Sequence, residues 1–143
     1  MASSSPVAGP RRHRLSTHEC RSWLIQHHEG RLDYRTGRGP RSLVVRYAVD
    51  SDAVLVRVPT FNDLLQYAPG ESVTLEVDDR VALDSVAPGG AIQTGFESVH
   101  VTGTATIVDS APPALADDWP ADLPTKVISV PIQRIDGFYA AAP

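Results

Sequence analysis

The sequence predicts a mainly β protein: a six-stranded antiparallel barrel with an N-terminal helix and a short helix in the middle of the chain. Two observations lead to this fold class. From Gly30 onward, apolar residues recur at every second position in six short runs, which is the period of half-buried strands. Clusters of Gly, Pro, Asp and Ser separate the runs, and these residues are typical of turns. Closure into a barrel removes the exposed edges that such strands would otherwise present.

Length and composition indicate one globular domain. The 143 residues suffice for a single core, and 42% hydrophobic with 21% charged residues is the balance of an ordinary folded chain. A net charge of −4 does not provide the basic face that nucleic acid needs. No apolar run approaches the ~20 residues of a membrane span, and no signal peptide is recognisable. With the single cysteine Cys20, an intrachain disulfide is excluded, so we expect a cytoplasmic protein.

The N-terminal segment Met1–Arg14 predicts a disordered tail. It is small, polar and proline-bearing, ends in the basic sequence RRHR, and has no apolar side to bury. The folded domain is therefore expected to cover residues 15–143.

The first element of the domain is predicted to be an amphipathic helix. Ser16, followed three residues later by Glu19, is the sequence of a capping box. Gly30 ends the helical period. One face of this helix collects the residues Cys20, Trp23, Leu24 and His27.

The rest of the chain is predicted to be extended, apart from one short helix at Thr60–Ala68 that PGE terminates. Arg80–Gly95 lacks a period and is predicted to be a long loop. Gly103 predicts a bulge or a close backbone approach, and Pro131 predicts an edge or a bulge. The six predicted strands are about Arg31–Arg35, Ser42–Val49, Ala53–Val58, Ser72–Asp79, Ser98–Asp109 and Lys126–Ala140.

The sequence RVPTFNDLL, which begins at Arg57, is a candidate anion site. It predicts a strand end followed by a helix start, where backbone N–H groups and the helix dipole favour an anion. Arg57 is its one cation, and we favour a ligand role over a solvent-facing strand position. Thr60 and Asn62 serve equally well as helix caps. Asp63 in the first turn would repel a phosphate.

Other kinds of site receive little support. The five histidines match no metal-ligand spacing, so no metal site is predicted. A Ser–His–Asp hydrolase needs a nucleophile on a turn such as G-x-S-x-G, which is absent from the sequence. Cys20 is predicted to be a buried hydrophobe. No catalytic residue is therefore assigned. The histidines are His13, His18, His27, His28 and His100.

Successive blocks of the sequence carry a family resemblance: LSTHECRSWLIQHHEGRL, VVRYAVDSDAVLVRV, VTLEVDD and TGFESVHVTGTATIVD. In this order they resemble the pyridoxamine 5′-phosphate oxidase-like, FMN-binding split-barrel family, over about Leu15–Gly137. The resemblance implies a six-stranded split barrel that forms a homodimer, with two flavin sites across the subunit interface.

The resemblance also implies which positions hold the flavin. The phosphate is expected at the end of the third strand and in the turn after it. The ring is expected to lie against the second and third strands, and the partner subunit is expected to contribute residues from the start of the fifth strand. The phosphate positions are Arg57, Val58, Thr60, Asn62 and Asp63, the ring positions are Arg46 and Tyr47, and the partner positions are Phe96, Glu97 and Ser98.

The sequence departs from the family pattern at two of these positions. Asp63 stands where the family commonly has a lysine, and Phe96 where a tryptophan is common. A carboxylate within about 4–6 Å of the phosphate should weaken its binding by a few kcal/mol. Most positions of the phosphate site are thus kept, but its positive charge is lower than is common in the family. Tyr47 has an alternative interpretation, as a core aromatic with its hydroxyl at the surface.

Three functions of different classes fit these residues. The first is an FMN- or deazaflavin-dependent oxidoreductase with an unknown small-molecule substrate, in which the cofactor carries the electrons and no dedicated acid or base is required. The second is a non-catalytic flavin- or haem-binding module. The third is a split-barrel dimer without cofactor, which Asp63 favours. The colour of the purified protein distinguishes them.

Overall fold

The computed structural model describes residues 12–86, 92–109, 120 and 122–141 of the chain. These residues form nine strands and two helices. No helix among them is long and apolar enough to cross a membrane. In chain order the elements are β1 (Arg12–Arg14), α1 (Thr17–Gln26), β2 (Glu29–Thr36), β3 (Gly39–Asp50), β4 (Ala53–Pro59), α2 (Leu64–Tyr67), β5 (Ser72–Val86), β6 (Ile92–Thr104), β7 (Thr106–Val108), β8 (Thr125–Pro131) and β9 (Arg134–Ala141).

The strands form one antiparallel sheet in the order β1-β9-β6-β5-β2-β3-β4-β8-β7. The sheet curls until β6 lies against β8. A Cβ added to Gly103 in β6 would lie 1.9 Å from the carbonyl oxygen of Pro131 in β8, so the two backbones touch there. The predicted close approach at Gly103 is therefore confirmed, as is the mainly β, antiparallel fold class.

The core fills the inside of the curled sheet because the strands alternate apolar and polar residues. In β4, the side chains of Val54, Val56 and Val58 are buried in the main core, while Leu55 belongs to a second, small cluster with Val127. Each fully buried aliphatic side chain contributes about 1.5–3 kcal/mol. The largest fully buried side chains include Leu24, Leu32, Leu64, Leu75 and Ile128.

The capping box of α1 is confirmed. The Ser16 backbone N–H donates to Glu19 Oε1 at 2.8 Å, and the Glu19 N–H donates to Ser16 Oγ at 3.1 Å. Cys20, Trp23 and Leu24 are buried on the predicted face. The helix ends at Gln26, before the predicted Gly30, because the backbone is already extended at His27.

The predicted strands differ from the observed ones where the chain changes partner. The predicted sixth strand is two strands, because the Ile132 N–H donates to Asp52 and the Gln133 N–H donates to Thr102 of β6. The predicted fifth strand is likewise divided at Ala105 into β6 and β7. The loop predicted at Arg80–Gly95 is wrong for residues 80–86 and 92–95, since β5 and β6 stay paired there with one irregularity, and its remaining residues, 87–91, lie outside the described part of the chain.

The predicted disordered tail is wrong for its last three residues. Arg12–Arg14 form β1 and pair with β9, and the next N–H, of Leu15, donates to the Gly137 carbonyl at 2.9 Å. The edge of β9 supplies these backbone partners, which need no apolar side chain. The remainder of the predicted tail, 1–11, lies outside the described residues, as does most of the acidic, proline-rich segment before β8.

Candidate functional site

Arg46 and Arg57 share the outer face of the sheet. β3 pairs with β2 up to Arg46 and with β4 from Tyr47 onward, where Tyr47 lies opposite Val56. The next position on each strand, Arg46 and Arg57, carries its side chain on the opposite face from this buried pair. The register partner of Arg46 is Glu29 in β2, so a carboxylate is its cross-strand neighbour, whereas Arg57 lies opposite Val127 of β8.

Arg57 is held in place by β8 and has one donor without an acceptor. Its Nη1 donates to Thr125 Oγ1 at 3.0 Å. Among the described residues, its Nε is the one buried side-chain nitrogen or oxygen that has no hydrogen-bond partner. A buried donor left without a partner costs about 1–3 kcal/mol, and more for a charged group. The guanidinium therefore fits an anionic ligand such as a phosphate oxygen.

A cleft of about 980 Å³ adjoins Arg46. It opens between the end of α1, the start of β2, and the strands β3 and β5. Its volume lies at the upper end of the range of about 300–1,000 Å³ usual for small-molecule sites. Arg46 thus belongs to the cleft and also shares a sheet face with Arg57. The residues that line it are Leu24, Ile25, Gln26, His27, His28, Glu29, Arg46, Tyr47, Ala48, Val49, Ser51, Asp78 and Asp79.

The side chains of Tyr47 and Val58 lie inside the barrel. Tyr47 is 4% exposed, and its hydroxyl donates to the Leu24 carbonyl at 2.6 Å. Burial raises the pKa of Tyr47, which keeps the hydroxyl protonated as a donor. The structure thus favours the core interpretation of Tyr47, with the hydroxyl buried rather than at the surface. Val58 is 3% exposed, so both side chains point away from the outer face, while Tyr47 also contributes to the lining of the cleft.

The turn after β4 differs from the predicted helix start. α2 has a single turn and begins only at Leu64. The Thr60 N–H donates to the Pro124 carbonyl and the Asn62 N–H to the Pro59 carbonyl, both at 3.0 Å. Asn62 Oδ1 accepts from the Leu64 N–H at 2.9 Å, which closes a local turn before the helix, whose N-cap residue is Asp63 and not the predicted Thr60 or Asn62. These N–H groups are engaged within the protein, and a phosphate here depends on side chains.

Asp63 is held by two residues of the β2–β3 hairpin. Its Oδ1 accepts from the Tyr34 hydroxyl at 2.5 Å, and its Oδ2 accepts from Arg41 Nη1 at 2.8 Å. Burial raises the pKa of Tyr34 to about 12, with the hydrogen bond to Asp63 as the second cause. Tyr34 therefore stays a donor at neutral pH. Arg41 offsets the charge of Asp63, so the repulsion predicted from the sequence is compensated locally.

Phe96 and Glu97 lie in β6, opposite Arg80 and Asp79 of β5. Phe96 is 39% exposed, and its ring centroid is 6.4 Å from that of Phe138. Burial raises the pKa of Glu97, and the nearby His27, just after α1, opposes this shift. Neither residue lines the cleft in the described part of the chain.

Ser98 reaches the cleft only through another side chain. It is 2% exposed, and its hydroxyl donates to Asp78 Oδ1 at 2.5 Å. Its Oγ also lies 2.9 Å from His100 Nε2. Asp78 itself lines the cleft. Within one chain, Ser98 is thus a buried support for a cleft residue.

His27, Asp79 and Arg41 are functional candidates that the sequence analysis did not assign to the site. His27 Nδ1 donates to the Trp23 carbonyl at 2.7 Å, and its Nε2 lies 3.4 Å from Asp79 Oδ2. Its ring centroid lies 3.9 Å from that of Trp23, with the rings tilted by 35°. These contacts join α1 to β5 at the wall of the cleft. The pairing of Arg41 with Asp63 joins two elements 22 residues apart, for which the sequence has no local signal.

Comparison with known proteins assigns the chain to a family. The sequence model described as pyridoxamine 5′-phosphate oxidase matches residues 16–137, which is most of the chain. The chain belongs to the pyridoxamine 5′-phosphate oxidase family. A search among curated proteins gives no match.

Several solved structures have the same fold as this chain. The FAD binding protein from Mycobacterium smegmatis is similar with a TM-score of 0.74 and 23% identity, over 92% of this chain and 100% of that chain. A FAD-binding protein from Mesorhizobium loti has a TM-score of 0.67 and 19% identity, over 92% and 98%. The FAD and haem binding protein from Mycobacterium smegmatis has 0.61 and 11%, over 90% and 73%. At these identities, the likeness confirms the split-barrel fold.

Proposed function

We propose that this protein is a flavin-dependent oxidoreductase that holds the flavin phosphate at Arg57, with Arg46 beside it. The buried Arg57 Nε–H without an acceptor is the observation that carries the proposal. Membership of the pyridoxamine 5′-phosphate oxidase family supports a phosphorylated cofactor at this strand end. FMN provides the phosphate that the site needs. The similar structures named as FAD binding make FAD the alternative nucleotide.

Some residues of the site would bind the flavin through charge and others through packing against its ring. Arg57, fixed by Thr125, offers a preorganised fork of donors to phosphate oxygens. Arg46 lies where the outer face meets the cleft, and Ala48 and Val49 give the cleft an apolar wall against which a planar ring can pack. When bound, the flavin supplies the transfer of a hydride or electron pair, and the protein binds and orients it.

The proposal is tested by adding FMN, FAD and the deazaflavin coenzyme separately to the purified protein. We expect quenching of flavin fluorescence with micromolar affinity for FMN or FAD, because a phosphate gains charge-assisted hydrogen bonds at Arg57. Anaerobic addition of NADH or NADPH then tests the oxidoreductase half, and we expect the bound flavin to be reduced faster than free flavin.

Each alternative function has its own result in this experiment. Flavin binding without faster reduction favours a non-catalytic module. A Soret band on addition of haem favours the haem-binding module. The similarity to the FAD and haem binding protein from Mycobacterium smegmatis is the reason to include haem. If neither flavin nor haem binds at millimolar concentration, the proposed function is wrong and the protein is a cofactor-free barrel.

We also propose that the chain forms a homodimer, as the family resemblance implies. Val44, 67% exposed, lies two positions before Arg46 on the outer face of β3, and Phe61 in the turn after β4 is 79% exposed. Apolar side chains of this size near a site are typical of surfaces covered by a partner. Sedimentation velocity at micromolar concentration should give a dimer, and Val44→Glu should weaken it. A stable monomer of the unaltered chain contradicts the proposal.

A further inference from the structure

The turn that contains Asp63 lies next to the proposed phosphate position. The Thr60 N–H and Arg57 Nη1 bond to the adjacent residues Pro124 and Thr125, so the start of the turn and the guanidinium lie against the same segment. The turn from Pro59 is closed by a hydrogen bond three residues later, which brings its ends within about 7 Å. Thr125 lies opposite Pro59 in the register of β4 and β8, so the Arg57 guanidinium, which bonds to Thr125, reaches the end of β4. The Asp63 backbone is then on the order of 10 Å from the end of β4 and from the guanidinium there.

A full negative charge at this distance would weaken anion binding. Ten ångströms is about one Debye length at moderate salt, so the charge of Asp63 is only partly screened from a phosphate at Arg57. At an effective dielectric constant intermediate between protein and water, the expected effect is about fivefold to twentyfold in affinity. The site needs a cation close to Asp63 if it is to bind a phosphate well.

Arg41 supplies that cation from another element. Its Nη1 lies 2.8 Å from Asp63 Oδ2, and the Arg41 side chain is 55% exposed. An ion pair with this exposure contributes little to stability, because water already solvates both charges and the long side chain loses freedom. Its effect on the local potential remains. The Tyr34 hydroxyl holds the other carboxylate oxygen and so fixes the orientation of Asp63 toward Arg41.

We propose that Arg41 is a positioning residue of the flavin-phosphate site: by neutralising Asp63 it lets the turn after β4 accept a phosphate beside Arg57. This inference rests on the proposed function. Arg41 is a specificity element for phosphorylated over unphosphorylated flavins, because the charge it cancels acts on the phosphate and leaves the ring unaffected. The alternative is that Arg41, Asp63 and Tyr34 only anchor the turn to the barrel.

The test compares the unaltered chain with Arg41→Gln, Asp63→Asn and the double variant, using FMN and riboflavin as probes. Riboflavin has the same ring without the phosphate. Arg41→Gln should weaken FMN about tenfold and leave riboflavin unchanged, because it exposes the carboxylate. The double variant should recover the FMN affinity of Asp63→Asn, and the loss in Arg41→Gln should shrink when salt is raised from ~0.05 M to ~0.5 M.

A control and two further outcomes make the test decisive. Arg134→Gln removes an 80% exposed arginine from β9 and should change neither affinity. If FMN binds the unaltered chain and Arg41→Gln weakens both flavins equally, or neither, the inference is overturned and the proposed function stands. If FMN does not bind the unaltered chain, the proposed function fails. Should Arg41→Gln not fold, Asp63→Asn decides: it should bind FMN more tightly than the unaltered chain, because the charge of Arg41 is then unopposed, and an unchanged FMN affinity overturns the inference.

Discussion

Gly103→Ala is expected to cost at least about 3 kcal/mol of unfolding free energy or to prevent folding. The added methyl would lie 1.9 Å from the Pro131 carbonyl oxygen and 3.0 Å from its carbon. Both are backbone atoms, which cannot turn aside as the end of a flexible side chain can. The strands β6 and β8 would have to separate, and the closure of the barrel would be lost. Urea denaturation followed by circular dichroism measures the change.

Gly37→Ala is the matched control for this substitution. The nearest atom to its added Cβ is the Tyr67 hydroxyl oxygen at 3.8 Å, an ordinary van der Waals contact. We expect a change within about 1 kcal/mol, because an alanine that fits mainly reduces the entropy of the unfolded chain. Equal stability of the two variants would show that β6 and β8 do not meet at Gly103.

Arg57→Ala is expected to lower FMN affinity about hundredfold, which corresponds to about 2.7 kcal/mol. The variant loses the charge and the Nε–H that has no acceptor within the described protein. Riboflavin affinity should stay unchanged. Arg57→Lys should be intermediate, since an ammonium keeps the charge and lacks the planar fork. Isothermal titration calorimetry with both flavins separates these effects.

The apo form of this variant supplies an independent check. Arg57→Ala removes one bond to Thr125 and also a buried donor without a partner. These two changes oppose each other, so we expect the unfolding free energy to change by less than about 1 kcal/mol. Arg134→Ala serves as the control arginine for both measurements. A large loss of apo stability in Arg57→Ala, with unchanged FMN affinity, would assign Arg57 a structural role.

Local patterns in the sequence predicted the elements that depend on local interactions. Ser16 and Glu19 are three residues apart in one helix turn, so their mutual capping is readable without the fold. The close approach of another backbone at Gly103 could be predicted, because a glycine within a strand usually marks a bulge or such a contact. The division between β8 and β9 could not be predicted from the sequence, because it depends on backbone N–H groups that change from one strand partner to another.

The candidate site was predictable in part for the same reason. Arg57 followed from its place at a strand end before a turn. Tyr47 and Val58 directly follow Arg46 and Arg57 in the sequence. Because side chains alternate along a strand, Tyr47 and Val58 must lie on the opposite face of the sheet from these arginines. The neutralisation of Asp63 was not predictable, because Arg41 lies in a different hairpin.

The Arg57 Nε–H resonance gives the most direct test of flavin binding at the outer face of β4. Isotope-edited NMR resolves arginine Nε–H groups, and loss of the signal in Arg57→Lys identifies the one required. Addition of FMN should move this resonance downfield, as expected when the donor gains a phosphate oxygen. Riboflavin should leave it in place. If FMN binds tightly and the Arg57 Nε–H resonance does not move, the phosphate lies elsewhere and the proposed site is wrong.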